Sequence, residues 1–118
     1  MDRQTLTTDD GASTAMMLTV FAALMLLLAA ALTLIQVHVA ASRAAGAADL
    51  AALAAADAAR GLMIAEPCSL AADTVAAHGA HMTECDISAP GVAHIHVQVE
   101  APMGLMTTAE SRAGPKLP

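Results

Sequence analysis

The chain has 118 residues, of which 57% are hydrophobic, 14% charged and 1% aromatic, and its formal net charge is -6. That length allows one small domain at most, and the charge content lies well below the ~25% of ordinary soluble domains. With one Phe, no Trp or Tyr, and five Lys+Arg against eleven Asp+Glu, the chain lacks the cations and stacking rings of a nucleic-acid binder and the aromatic lining of a small-molecule pocket.

Residues 1–11, MDRQTLTTDDG, form a polar leader carrying Asp2, Arg3, Asp9 and Asp10. The apolar residues then arrive together. From Gly11 to Ser42 there is no Asp, Glu, Lys or Arg, and Ala12 to Ile35 is a run of Ala, Leu and Met with a few Thr and no Pro or Gly. About 20 apolar residues suffice for a helix to cross the hydrocarbon core, and Ala, Leu and Met are good helix formers. The run predicts a transmembrane helix. A buried core helix is disfavoured, because the rest of the chain is too small to cover it on all sides. A cleaved secretory signal is the stronger rival, with small residues near His38-Val39-Ala40-Ala41, but its leader lacks a basic character and its apolar core is too long. Only Arg3, Arg43 and Arg60 bear on orientation by the positive-inside rule; the cysteines point to an oxidising space for the C-terminal part.

The helical pattern continues from His38 to Arg60 without Pro. At 100° per residue, Arg43, Gly46, Asp49, Leu50, Leu53, Asp57 and Arg60 fall in one sector, and the remaining face, from Ala44 to Ala59, is alanine alone. Such a face lets another backbone approach closely, as small residues do where helices pack in membranes. Ala44, Ala48, Ala51, Ala55 and Ala59 are therefore the candidate helix-packing residues, against the plainer reading that Ala is simply the best helix former. Asp57 and Arg60 have i,i+3 spacing for an ion pair, and Gly46 marks a bend or a closest contact. From Ala12 to Arg60 the helix would extend roughly 73 Å at 1.5 Å per residue.

Gly61 stops this helix. Pro67 to Gly79 predicts a short helix with Pro near N1 and Gly79 just past its end. Thr83, Cys85 and Ile87 then alternate with Met82, Glu84 and Asp86. Pro90-Gly91 is turn chemistry. Ala93, Ile95, Val97, Val99 and Ala101 alternate with His94, His96, Gln98 and Glu100, which predicts a strand with one apolar and one wet face. A second turn at Pro102-Met103-Gly104 leads to a third strand over 105–113. A head of this size, residues 62–118, is marginal without a staple.

Cys68 and Cys85 are the only cysteines. A disulfide between them is the preferred reading, worth about 3 kcal/mol for a loop of this length. Two buried free thiols are the alternative, and so is a zinc site, since Cys68, His78, His81 and Cys85 are four zinc-competent ligands, though in a spacing that matches no familiar finger. His94 and His96 share one face of a strand and could hold a metal or sense acid pH; the plainer reading is a solvated face continued by Gln98 and Glu100. No metal or cofactor is expected. There is no nucleophile motif, P-loop or dinucleotide fingerprint, so no enzyme is expected either.

Three places carry a family resemblance. The leader ending in Gly11, followed by the small Ala12 and at once by the apolar stretch, resembles the processing site of type IV prepilins, which a membrane peptidase cuts after the glycine. The run AADLAALAAA, from Ala47 to Ala56, resembles the signature of TadE-like proteins of Flp (tight-adherence) pilus assembly loci. Cys68, the Ala77-His78-Gly79-Ala80 stretch, Cys85, the 92–101 strand and the ending Ser111-Arg112-Ala113-Gly114-Pro115 are similar to the actinobacterial TadE-like proteins found beside helicase and secretion genes. The likeness runs from about Asp10 to Pro115. It implies a minor pilin or pseudopilin-like component, trimmed between Gly11 and Ala12, with its head outside and with other pilins and the assembly platform as partners. Type IV pilins usually have a glutamate as the fifth mature residue; this chain has Met16 there.

The sequence thus predicts an α+β chain with a leader (1–11), a long transmembrane and Ala-rich helix (12–61), and a small extracytoplasmic head (62–118) with a short helix and a 2–3-stranded antiparallel sheet. The expected partners are the membrane and pilin-like or secretion-platform subunits, with no nucleic acid and no small-molecule substrate. The expected place is the cell membrane, single-pass. A soluble effector or binding module released by cleavage near Ala41 is the alternative.

Overall fold

The structure is a computed structural model and describes residues 3–115, with side chains from residue 11 onward. The leader's charged side chains and the last residues of the tail lie outside that description. The element order is α1 (Arg3–Ala59), α2 (Pro67–Ala77), β1 (His81–Ser88), β2 (Val92–Glu100), a short 3₁₀ turn (Pro102–Gly104) and β3 (Met106–Ala113). The three strands form one antiparallel sheet in the order β1-β2-β3, so the α+β class is as the sequence predicts.

The chain divides into two compact units, 1–35 and 36–118. The first is the N-terminal part of α1. Its large apolar side chains, among them Met16, Leu18, Phe21, Leu24, Leu27 and Leu34, are all exposed. Two threonine hydroxyls turn inward on the helix: Thr19 Oγ1 donates to the Met16 carbonyl at 2.8 Å, and Thr33 Oγ1 to the Ala29 carbonyl at 2.9 Å. Both thereby satisfy their donors within the helix, as an apolar surrounding requires.

The second unit starts at Gln36, so the Ala-rich part of α1 belongs to the head. The physical reason lies in the core. Ala44, Ala47, Ala48, Ala51, Ala52, Ala55 and Ala56 join Ala71 and Val75 of α2 and Ala93, Ile95, Val97 and Val99 of β2 in one buried cluster. Residues 62–118 alone supply few large apolar side chains; Ile95, Val75 and Val97 are the largest fully buried ones. Alanine on the helix lets its backbone come close to these branched side chains, which closes a small core without bulky partners.

Both helices end in the same way. Gly61 has φ 80°, its N–H donates to Ala58 O, and Leu62 N–H reaches Asp57 O at 2.9 Å. Gly79 has φ 69°, its N–H donates to Ala76 O, and Ala80 N–H reaches Val75 O. Each is a Schellman stop, in which glycine takes the left-handed conformation. Helix α2 begins with Pro67 at its first position and Glu66 as its cap: the carboxylate accepts from Ser69 N–H at 2.6 Å and from Cys68 N–H at 3.3 Å. The Cys68–Cys85 disulfide is formed and ties the start of α2 to the middle of β1.

The first strand departs from the simple alternation. Met82 pairs with Val97, Glu84 with His96, Cys85 with Ile95 and Ile87 with Ala93. Thr83 is the extra residue of a bulge between Met82 and Glu84. The bulge shifts the phase, so that Met82, Cys85 and Ile87 pack on the core while Thr83 is exposed. Thr83 Oγ1 donates to the His96 carbonyl at 3.3 Å. Sequence alternation alone places Thr83 inward, because it has no means of counting an unpaired residue.

Candidate functional site

The sites marked from sequence lie in four places. Gly11 and Ala12 are both exposed, and α1 passes through them without a break. Cys68 and Cys85 are joined, which removes them as thiolate ligands and closes the Cys-His-His-Cys zinc reading. His78 is held locally, its Nδ1 2.8 Å from the Thr74 carbonyl oxygen.

The alanine face is the main correction. Ala44, Ala48, Ala51 and Ala55 are fully buried within the chain's own core, and Ala59 is half-buried. Their close-approach surface is taken up by the head itself, so it is not an open docking face for a neighbouring helix. The segregation of larger residues is as expected: Arg43, Asp49, Leu50, Leu53 and Arg60 are exposed on the other side. Gly46 lies there too, with nothing within 4 Å of where a Cβ would stand, so it is not a contact point. Asp57 and Arg60 do pair, at 2.7 Å, on a half-exposed surface where such a pair contributes only tenths of a kcal/mol.

The outer face of the sheet is where polar chemistry converges. Its register sets three rows across the strands. Asp86, His94 and Arg112 form one; Glu84, His96 and Glu110 form the next; His81, Gln98 and Thr108 form the third. One Glu110 carboxylate oxygen lies 3.3 Å from His96 Nε2 and 3.5 Å from His94 Nε2. Glu84 approaches His96 Nε2 from the opposite strand at 3.9 Å. The two imidazoles tilt against each other, with ring centroids 4.7 Å apart. His94, His96 and Glu110 bring three ligand-competent atoms within 4.8 Å of one another. Their side chains are 40%, 33% and 63% exposed, so the group is anchored on the sheet and open to solvent.

The i,i+2 spacing reveals the two histidines. Glu110 and Glu84 escape that reading because they enter from the flanking strands. Glu110 is recoverable from the turn at Pro102–Gly104, which sets its register against His96, and Glu84 from the turn at Pro90–Gly91, since the bulge at Thr83 lies beyond it and leaves the pairing from Ser88 to Glu84 unbroken.

The apolar part of α1 is the other candidate surface. Its most apolar window has a mean hydropathy of 2.6, and none of that window is buried. A core helix of a soluble domain is mostly covered by its own chain, and this segment is not. By length and composition the helix can cross a membrane.

No family model matches this chain, and no curated protein or solved structure matches it.

Proposed function

We propose that the chain is a membrane-anchored structural subunit, a minor pilin or pseudopilin-like component of a Tad/Flp-type pilus or secretion apparatus. The observation that carries this reading is the wholly uncovered apolar segment of α1 in a chain whose head has its own closed core. Apolar surface of that extent is stable only in lipid or against other apolar helices. The disulfide supports a head outside the cytoplasm, since such bridges persist in oxidising compartments. The Gly11-Ala12 leader boundary and the AADLAALAAA run point to pilus assembly in particular.

The anchor acts through residues 12–35, which associate with neighbouring apolar helices by van der Waals packing. The alanine face builds the head. The head then presents the outer surface of the sheet. With Met16 where pilins usually carry a glutamate, docking through a buried carboxylate and a neighbour's amine is absent, and the subunit joins by packing alone.

The test is to isolate the chain from the membranes of its native cells, sequence its N-terminus, and crosslink through a photoreactive residue placed at Leu26. Ala12 as first residue, and adducts between Leu26 and other single-helix apolar subunits, are expected. A soluble monomer that begins beyond residue 40 refutes the proposal and supports the released effector instead. Adducts to lipid alone refute the subunit role while leaving the anchor.

A further inference from the structure

The geometry points to a divalent transition-metal site on the outer face of the sheet, formed by His94 Nε2, His96 Nε2 and a carboxylate oxygen of Glu110, that takes a zinc-class ion. The inference is independent of the proposed function and rests on three features of the head.

The first is the donor set. Two imidazole nitrogens and one carboxylate oxygen suit borderline ions such as Zn²⁺, whereas Ca²⁺ and Mg²⁺ call for oxygen donors alone. The second is spacing. At zinc bond lengths of about 2.0–2.1 Å, neighbouring ligand atoms of a tetrahedral site stand roughly 3.3 Å apart. The Glu110 oxygen is already 3.3 Å from His96 Nε2 and 3.5 Å from His94 Nε2, and the whole ligand set spans no more than 4.8 Å. A small rotation of two half-exposed rings completes the triangle. The third is rigidity. His94 and His96 sit on the central strand, paired on both sides, with the fully buried Ile95 between them. That backbone is fixed by the core, so the imidazoles are presented in advance.

Charge supports the assignment. Glu84 and Asp86 on β1 and Glu110 on β3 flank the histidines, with Arg112 as the one cation in these two rows. Glu84, 3.9 Å from His96 Nε2, is placed to supply a fourth ligand; otherwise that position is open to water, as in zinc sites with three protein ligands.

The experiment is a titration of the untagged full-length chain in detergent with Zn²⁺, followed by calorimetry, with Co²⁺ as an optical probe and Mg²⁺ as the contrasting ion. The expected result is one Zn²⁺ per chain, a visible Co²⁺ absorption band that Zn²⁺ displaces, and no binding of Mg²⁺. H94Q, H96Q and E110Q each weaken Zn²⁺ binding roughly tenfold or more, while H78Q leaves it unchanged. Zn²⁺ also raises the unfolding temperature of the unaltered head, and Mg²⁺ does not, a readout that needs no variant. Absence of stoichiometric Zn²⁺ binding, or equal binding by H94Q, H96Q, E110Q and the unaltered chain, overturns the assignment and leaves the cluster as imidazole–carboxylate contacts.

Discussion

Replacing Ala48 by Leu separates the two roles that its helix face can have. Ala48 is fully buried within the head, and it lies in the cluster that contains Ile95, Val97 and Val75. Leucine adds three carbons inside the buried cluster that the helix shares with the sheet. Overpacking of this kind typically costs about 1–3 kcal/mol. Since each 1.4 kcal/mol is a factor of ten, amide protection in β2 should fall by about 5- to 140-fold. Hydrogen exchange read by mass spectrometry on the full chain in detergent resolves that change at residues 92–100, independently of the long helix. Ala45 provides the control, because it is exposed on the same helix and Leu there should shift protection by less than ~0.5 kcal/mol. Equal protection of β2 in A48L and A45L would refute the intrachain packing and restore the alanine face to an outside partner.

Further predictions concern the staple, the helix and the anchor. The double variant C68S/C85S should lose about 3 kcal/mol of head stability, seen as proteolysis of the head at temperatures the bridged chain withstands. Gly46 is helical, exposed and has open space where a Cβ would go; G46A should therefore stabilise the head by about 0.5–1 kcal/mol, measured as a higher unfolding temperature. Leu24 lies mid-segment and exposed, and L24D should disfavour insertion by about 3–4 kcal/mol, the cost of the aspartate plus the lost leucine, measured as a smaller membrane-inserted fraction in a translocation assay.

Elements with a strong local signal were legible in the sequence. The uninterrupted Ala-Leu-Met run, the glycine stops at Gly61 and Gly79, and the alternation of β2 all state their structure within a few residues. The segregated alanine face was legible as well, but its partner was not, because a flat small surface suits an outside helix and the chain's own sheet equally. What decides is the shortage of large apolar residues in 62–118, a balance over the whole head. In β1 the alternation holds from Glu84 to Ser88 and breaks only at Met82 and Thr83, since the bulge at Thr83 is a feature of pairing rather than of pattern. The histidine cluster was half visible because local spacing shows His94 and His96, whereas Glu110 reaches them across strands through the β2–β3 register.

The most direct check on the membrane-anchored reading is the partition of the chain in its native cells. After lysis, membranes are washed with alkaline carbonate and the chain is followed by mass spectrometry of peptides from residues 12–35 and from the head. The account predicts that both sets of peptides stay together in the washed membrane pellet. Recovery of the head in the soluble fraction, without residues 12–35, would contradict it.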